Sequence, residues 1–370
     1  MLGLFKQSLQ NKKGNSSIKD GERVNLYNQL NALLMEHTPV ITSQNEHILI
    51  KKIKKETNRH NLNNITRTKA YLDFFIKHQE IHWAFLAHMV SRNGGYSMTD
   101  FKGSMIGDLI VDERRKILFH FLERANALIF HDAYPQLLLF EESRKERKSF
   151  FHLLPAFQIS RFMIPIWEHF LVHSNSTLLT LALITNEQQY LEKHLMSKQT
   201  TKESIFHTLT YILQEKMGLT YVAFPYKRYP FLRLYSLTGL KVHEFSSVNE
   251  RIIIGKKLYS ILFSKLHYGS CFQFAHTISH SGSRSDYWPH IFTLNKHETE
   301  KVYSPPLLQV WNQKTHHFTS TEDWFSRIQQ INGFEIGLTE SHTDLSNVIK
   351  RDITLLLTLG KIKNEIPSIS

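Results

Sequence analysis

"ITRTKAYLDFFIKHQEIHWAFLAHMVSRNGG", residues 65–95, is the stretch whose reading decides the fold. At 100° per residue, the apolar side chains of 81–90 point in every direction, and a helix that is apolar all round is buried on all sides. The pattern predicts a central core helix. It carries two polar groups with it. His82 falls between Met89 and Leu86, and His88 between Ala84 and Ile81, about 120° apart on the wheel. Both imidazoles are expected in the interior, without the spacing of a zinc-protease helix. Asn93-Gly94 reads as the left-handed stop of this helix.

Around it, most of the chain to Gly218 has helical texture. "TRTKAYLDFFIKHQ" opens on a Thr66 or Thr68 cap, and "DERRKILFHFLERANALIFHDAY" is expected to end before Pro135. "SNSTLLTLALITNEQQYLEKHLM" starts on a Ser/Asn cluster, and "KESIFHTLTYILQEKMG" closes on a glycine. After Gly218, "LTYVAFPYKRYPFLRLYSLTGLKVHEF" is rich in β-branched and aromatic residues, which suggests short strands or an irregular packed segment. "SSVNERIIIGKKLYSILFSKL" is helical again, and "SHTDLSNVIKRDITLLLTLG" predicts a last helix with a glycine stop. The expectation is a mainly α fold, a multi-helix bundle with a smaller mixed or irregular C-terminal region. Residues 1–22 read as a flexible basic tail, 23–218 as a helical domain and 219–370 as the mixed region, either separate or packed as one unit with the helical domain.

Several polar residues sit where a core is expected. Asn186 and Glu187 end an all-round apolar run, and a buried carboxylate must be paired, hydrogen-bonded or protonated. Asn126 projects among Phe119 and Phe130. Asn126, Asn186 and Glu187 are candidate partners for His82 and His88. By contrast His120, Glu123, Arg124 and His131 share one arc opposite the apolar side, the pattern of a solvated face. Two readings stand for the buried set: a satisfied core network, or a site built between helices.

Outside the helices, "SHSGSRSDYWPH" (279–290) gathers His280, Ser283, Arg284, Asp286 and His290 around Gly282, the mix used for anion binding or for a Ser/His/Asp arrangement. The plainer reading is a packed loop with an Arg284–Asp286 pair. His131-Asp132 suggests the metal-dependent HD phosphohydrolases, but no aspartate follows before Asp286 to complete such a site. Glu-x-x-His pairs, a P-loop, a Rossmann glycine fingerprint and a G-x-S-x-G elbow are lacking. The sequence specifies no cofactor or metal.

The formal net charge is +12, and residues 1–67 hold eleven Lys/Arg against five Asp/Glu. Lys51, Lys52, Lys54 and Lys55 are the densest part, either a solvated helix face or a surface for nucleic acid, anionic lipid or an acidic partner. The single Cys271 excludes an internal disulfide and fits a reducing cytosol. Without a signal-like apolar run or a continuous bilayer-spanning segment, a cytoplasmic protein is expected.

"NITRTKAYLDFFIKHQEIHWAFLAHMVSRNGGYSMTD", "FLERANALIFHDAYPQLLLFEES", "LALITNEQQYLE" and "SRSDYWPHIF" together resemble the YppC-like family, a domain of unknown function from spore-forming bacteria, from about residue 40 to 330. The resemblance implies a bacterial cytosolic protein and transfers no catalytic residue. Two function classes follow from the residues. One is a hydrolase or transferase acting on a polar or anionic substrate, using His82, His88, Glu187 and the 280–290 loop. The other is a scaffold holding nucleic acid or an acidic partner through its basic N-terminal segment.

Overall fold

Residues 20–35, 42–107, 109–196, 221–229, 231, 234–242, 247–318, 322–326 and 344–365 are described in a computed structural model of the chain. In chain order the helices are α1 (Asp20–Met35), α2 (Gln44–His60), α3 (Asn64–Lys77), α4 (His82–Asp100) and α5 (Asp112–Glu146). A 3₁₀ turn (Phe151–Phe157) leads to α6 (Met163–His173) and α7 (Ser176–Leu191). The hairpin β1 (Tyr221–Tyr226) and β2 (Ser236–Lys241) follows, then α8 (Val248–Leu262) and α9 (Tyr268–Thr277). A short parallel pair, β3 (Phe292–Thr293) and β4 (Val302–Tyr303), precedes α10 (Leu307–Val310) and α11 (Ser346–Glu365). The protein is mainly α, with two small sheets in its C-terminal half.

Helix α4 is the hub. It packs against α3, α5, α7, α8, α10 and β1, and Trp83, Ala84, Phe85 and Met89 are almost wholly buried. The buried run of α7 lies directly against it, as the all-round apolarity of both segments predicts.

Four helix boundaries differ from the sequence reading. The cap of α3 is Asn63, whose side chain accepts from the Ile65 and Thr66 N–H groups; Thr66 instead completes the capping box, and Thr68 is turned inward. Asn93-Gly94 does not stop α4. The helix continues to Asp100 because its last turn is held from outside. Thr99 Oγ1 donates to Gly282 O, Trp311 Nε1 to Met98 O, and Arg284 pairs with Asp100. Nor does Pro135 end α5. A helix-interior proline costs about 3 kcal/mol, but the same turns bury Phe130, Leu137, Leu139 and Phe140, each contributing about 1.5–3 kcal/mol, so packing wins. Likewise α11 runs past Gly360. The expected helix at 202–218 lies outside the described residues, as does most of the expected tail.

The segment after residue 220 forms an antiparallel hairpin with Tyr221 opposite Lys241 and Tyr226 opposite Ser236. Gly239 is required there: it has φ +147°, and a Cβ would stand 2.0 Å from the Val222 carbonyl oxygen. Helix α8 approaches α7 closely at Gly255, where a Cβ would lie 2.7 Å from the Ile184 Cγ2 methyl. Alanine at 255 gains up to about 1 kcal/mol of helix propensity. It loses about 1–3 kcal/mol by overpacking a wholly buried neighbour. A net loss of about 1 kcal/mol is expected for Gly255→Ala in a urea melt; a stabilised variant would show that the two helices separate freely. Among the described residues no helix is long and apolar enough to cross a membrane.

Candidate functional site

The residues singled out from sequence divide among three places. At the start of α4, His82 Nδ1 is 2.8 Å from the Tyr259 hydroxyl, and its ring stacks on Phe263. One residue on, Trp83 Nε1 donates to Glu187 at 3.1 Å, and Gln188 supplies a second donor. The expected histidine partner of Glu187 is therefore corrected to an indole and an amide. Neither carries charge, so burial prevails and raises the Glu187 carboxyl to about 7.

Near the middle of α4, His88 and His280 converge on one residue. His88 Nδ1–H donates to the Thr68 carbonyl, and His280 Nδ1 lies 2.8 Å from the Thr68 hydroxyl. Burial lowers His88 to about 3 and His280 well below the ordinary histidine range, with Arg92 adding in the same direction. The expected Arg284–Asp286 pair does not form. Arg284 Nε reaches Asp100 at 2.8 Å, and Asp286 pairs with Arg92 at 3.3 Å, because α4 supplies a complementary charge to each. Ser283 Oγ bonds Ser304 and Ser285. Asn126 accepts a long bond of 3.4 Å from Ser91 Oγ.

Asn186 meets a group that its sequence context did not suggest. Its Nδ2 donates to Asp132 Oδ2 at 2.5 Å, Gln136 Nε2 donates to the same oxygen, and Trp324 Nε1 donates to Asn186 Oδ1. Asp132 is 1% exposed, and burial raises its carboxyl to about 8, with the Glu187 carboxylate adding to the rise.

The third place is a cavity of about 310 Å³ between α2, α5, the 3₁₀ turn and the irregular segment 316–318. Lys54, Thr57 and Asn58 face it from α2, and His131 and Pro135 from α5. Gln158, His316, His317 and Phe318 complete most of the wall, and none of the described residues that line it is a carboxylate. Three of its residues carry a buried polar atom with no hydrogen-bond partner among the described residues: Thr57 Oγ1, His131 Nδ1 and Gln158 Oε1; His316 Nε2 instead faces Glu123.

Each is positioned by a local device. Pro135 has no N–H for the His131 carbonyl one turn before it. The His131 ring stacks on Phe318 with centroids 3.9 Å apart. Gln158 holds a left-handed conformation, φ 64°, as the cap of the 3₁₀ turn. His316 stands 3.7 Å from Glu123, itself locked to Arg67 by a 2.5 Å ion pair in which both side chains are almost fully buried. Arg124 donates to the His317 carbonyl and lies over Phe318, fastening the segment.

The polar arc of α5 is thus only partly solvated. His120 is exposed, whereas Glu123 is buried beneath residues that arrive from 190 positions away. Burial lowers His131 to about 4, and Arg124 and Lys54 push the same way, so its ring is neutral at pH 7.

Of the sequence-derived set, Lys54 lines the cavity, with its ammonium 5.9 Å from the Phe157 ring centroid. Lys51, Lys52 and Lys55 are exposed on α2, and Lys52 reaches Glu142 at 3.4 Å. Sequence reasoning missed Thr57, Gln158 and His316. The usable signal was the proline one turn after His131; nothing local marks Gln158. Among the described residues no group of three or more His, Cys, Asp or Glu side chains could hold a metal ion.

A mainly helical protein with a polar cavity, lined by no carboxylate among the described residues, is the class that this geometry defines. The chain belongs to the family described as "Protein of unknown function (DUF2515)", whose model matches residues 59–345. It is 38% identical over 278 residues to the uncharacterized protein YppC of Bacillus subtilis (strain 168), covering 75% of this chain and 83% of that one. No solved structure matches. The matched span contains His131, Gln158 and His316 and begins just after Lys54, Thr57 and Asn58.

Proposed function

We propose that the chain binds a small anionic molecule, of the size of a phosphorylated or carboxylated metabolite, in the cavity between α2, α5 and residues 316–318, and acts on it by hydrolysis or group transfer. The observation that carries the reading is that three residues lining one cavity, Thr57, His131 and Gln158, each hold a buried polar atom without a partner among the described residues. An unsatisfied buried group costs about 1–3 kcal/mol, so three in one wall are a cost that a ligand drawing these side chains toward it would remove. The sign of the ligand follows from Lys54 at the wall and the lack of a carboxylate among the described lining residues. His316 beside the Arg67-bound Glu123 has the make-up of a histidine steadied for proton transfer, and neutral His131 offers a second ring nitrogen. The exposed Lys51, Lys52 and Lys55 would raise the local anion concentration in a salt-dependent way.

Thermal melts with inorganic phosphate, citrate and uncharged glycerol as probes test this. A ligand at a hundred times its Kd stabilises by about 2.7 kcal/mol. The anions are expected to raise Tm and glycerol is not. Lys54→Ala should weaken the anion effect by roughly tenfold, the loss of one charged hydrogen bond. Neutralising Lys51, Lys52 and Lys55 together should alter only its salt dependence. Equal shifts in wild type and Lys54→Ala would remove the cavity from consideration.

Gln158→Gly gives an independent check. A non-glycine residue held left-handed costs about 1 kcal/mol, so the variant is expected to be more stable by about that amount. It should also bind the anion less well, having lost the amide. A variant that gains stability and keeps full affinity would show that Gln158 has no part in binding.

A further inference from the structure

We infer that the tip of the β1–β2 hairpin docks on the surface of an anionic lipid bilayer, a property separate from the cavity and independent of its ligand. Phe231 is 80% exposed, the highest value among the exposed large hydrophobic residues described, and Tyr229 and Leu234 beside it are about half exposed. A Phe held largely in water beside two other exposed apolar side chains forgoes most of the free energy of burial, so the tip is shaped for a second phase.

The charge of the tip says which phase. Residues 227–235, between the two strands, contain Lys227, Arg228 and Arg233 and no Asp or Glu. Arg228 is exposed next to Tyr229. Exposed Tyr229, Phe231 and Leu234 beside the exposed Arg228 match a headgroup layer that is apolar below and anionic at its surface.

The tip is also held ready. At its base the Lys227 N–H donates to Ser270 Oγ at 2.6 Å, Trp288 Nε1 donates to the Tyr235 carbonyl at 2.8 Å, and the Lys227 ammonium lies over the Tyr235 ring. The Tyr229 and Phe231 rings stack on each other, 5.5 Å apart and within 15° of parallel. This self-stacking disfavours single-stranded nucleic acid, which needs free ring faces along a groove. The exposed aliphatic Leu234 fits lipid better than bases.

Co-sedimentation of the full chain with vesicles tests the proposal, using phosphatidylcholine alone and phosphatidylcholine mixed with phosphatidylglycerol. The chain is expected to sediment with the mixed vesicles only, and less so as salt is raised. Phe231→Ser should weaken binding by more than about tenfold, since a buried Phe is lost. Arg228→Gln should weaken it by about fivefold. Both positions are exposed, so melting curves should match wild type, and the anion-induced Tm shift of the cavity should persist in both. Sedimentation with neither vesicle, or binding indifferent to Phe231→Ser, would overturn the proposal. Binding of a single-stranded oligonucleotide through the same residues without vesicle binding would overturn it in favour of nucleic acid.

Discussion

Arg67→Met should lower the unfolding free energy by about 3–5 kcal/mol, the largest single-site loss expected in this protein. Arg67 and Glu123 are 1% and 2% exposed, and their contact is 2.5 Å. The wild-type pair need not be strongly stabilising, because both ions were taken out of water to form it. Removing one partner leaves the Glu123 carboxylate buried. Desolvation alone would raise its pKa; Arg67 is the chief reason it is instead lowered, with His316 assisting. The double variant Arg67→Met/Glu123→Leu should recover most of the loss. A urea titration checks both. If the double variant were as unstable as the single, the loss would lie in packing, or in the Arg67–Asn61–Ala127 bonds that tie α3 to α5.

Asp132→Asn should stabilise the protein at neutral and alkaline pH. The folded carboxyl is raised from 3.8 to about 8, chiefly by burial, so the folded state keeps its proton where the unfolded chain has lost it. Stability from this group is fully present below the unfolded pKa. It is lost as pH rises through the window toward about 8, at about 1.4 kcal/mol per pH unit. Asparagine keeps the shape and the acceptor for Asn186 and Gln136 and carries no charge. The expected gain is on the order of 4 kcal/mol near pH 7, vanishing near pH 4.

Glu187, raised to about 7, follows the same sign over a narrower window. His88 and His131, lowered to about 3 and about 4, act on the other side: their contribution is present above the unfolded histidine pKa and lost as pH falls. Asp132→Asn should therefore move the stability optimum upward without changing the acid limb. Melts of both proteins at about pH 5 and about pH 8 decide it. An asparagine variant that is less stable at both would mean that Asp132 is ionised in the fold and paired with a cation.

The sequence by itself determined the class of the fold and its centre. All-round apolarity of 81–90 and of 178–184 is a local, periodic property, and burial of those helices against one another follows from it. The same logic indicated that His88, Asn186 and Glu187 needed partners. Which partners they have was decided by tertiary structure: Thr68 for His88, Asp132 for Asn186, and Trp83 for Glu187. Helix ends went the same way. Asn93 and Pro135 are local stop signals worth a few kcal/mol at most, and they yield where distant segments hold the next turn. Glu123 looks solvated on its own helix and becomes buried because residues 316–318 cross that face. The cavity has the same origin. It lies between segments far apart in the chain, and no periodicity within one segment encodes what another will leave unpaired.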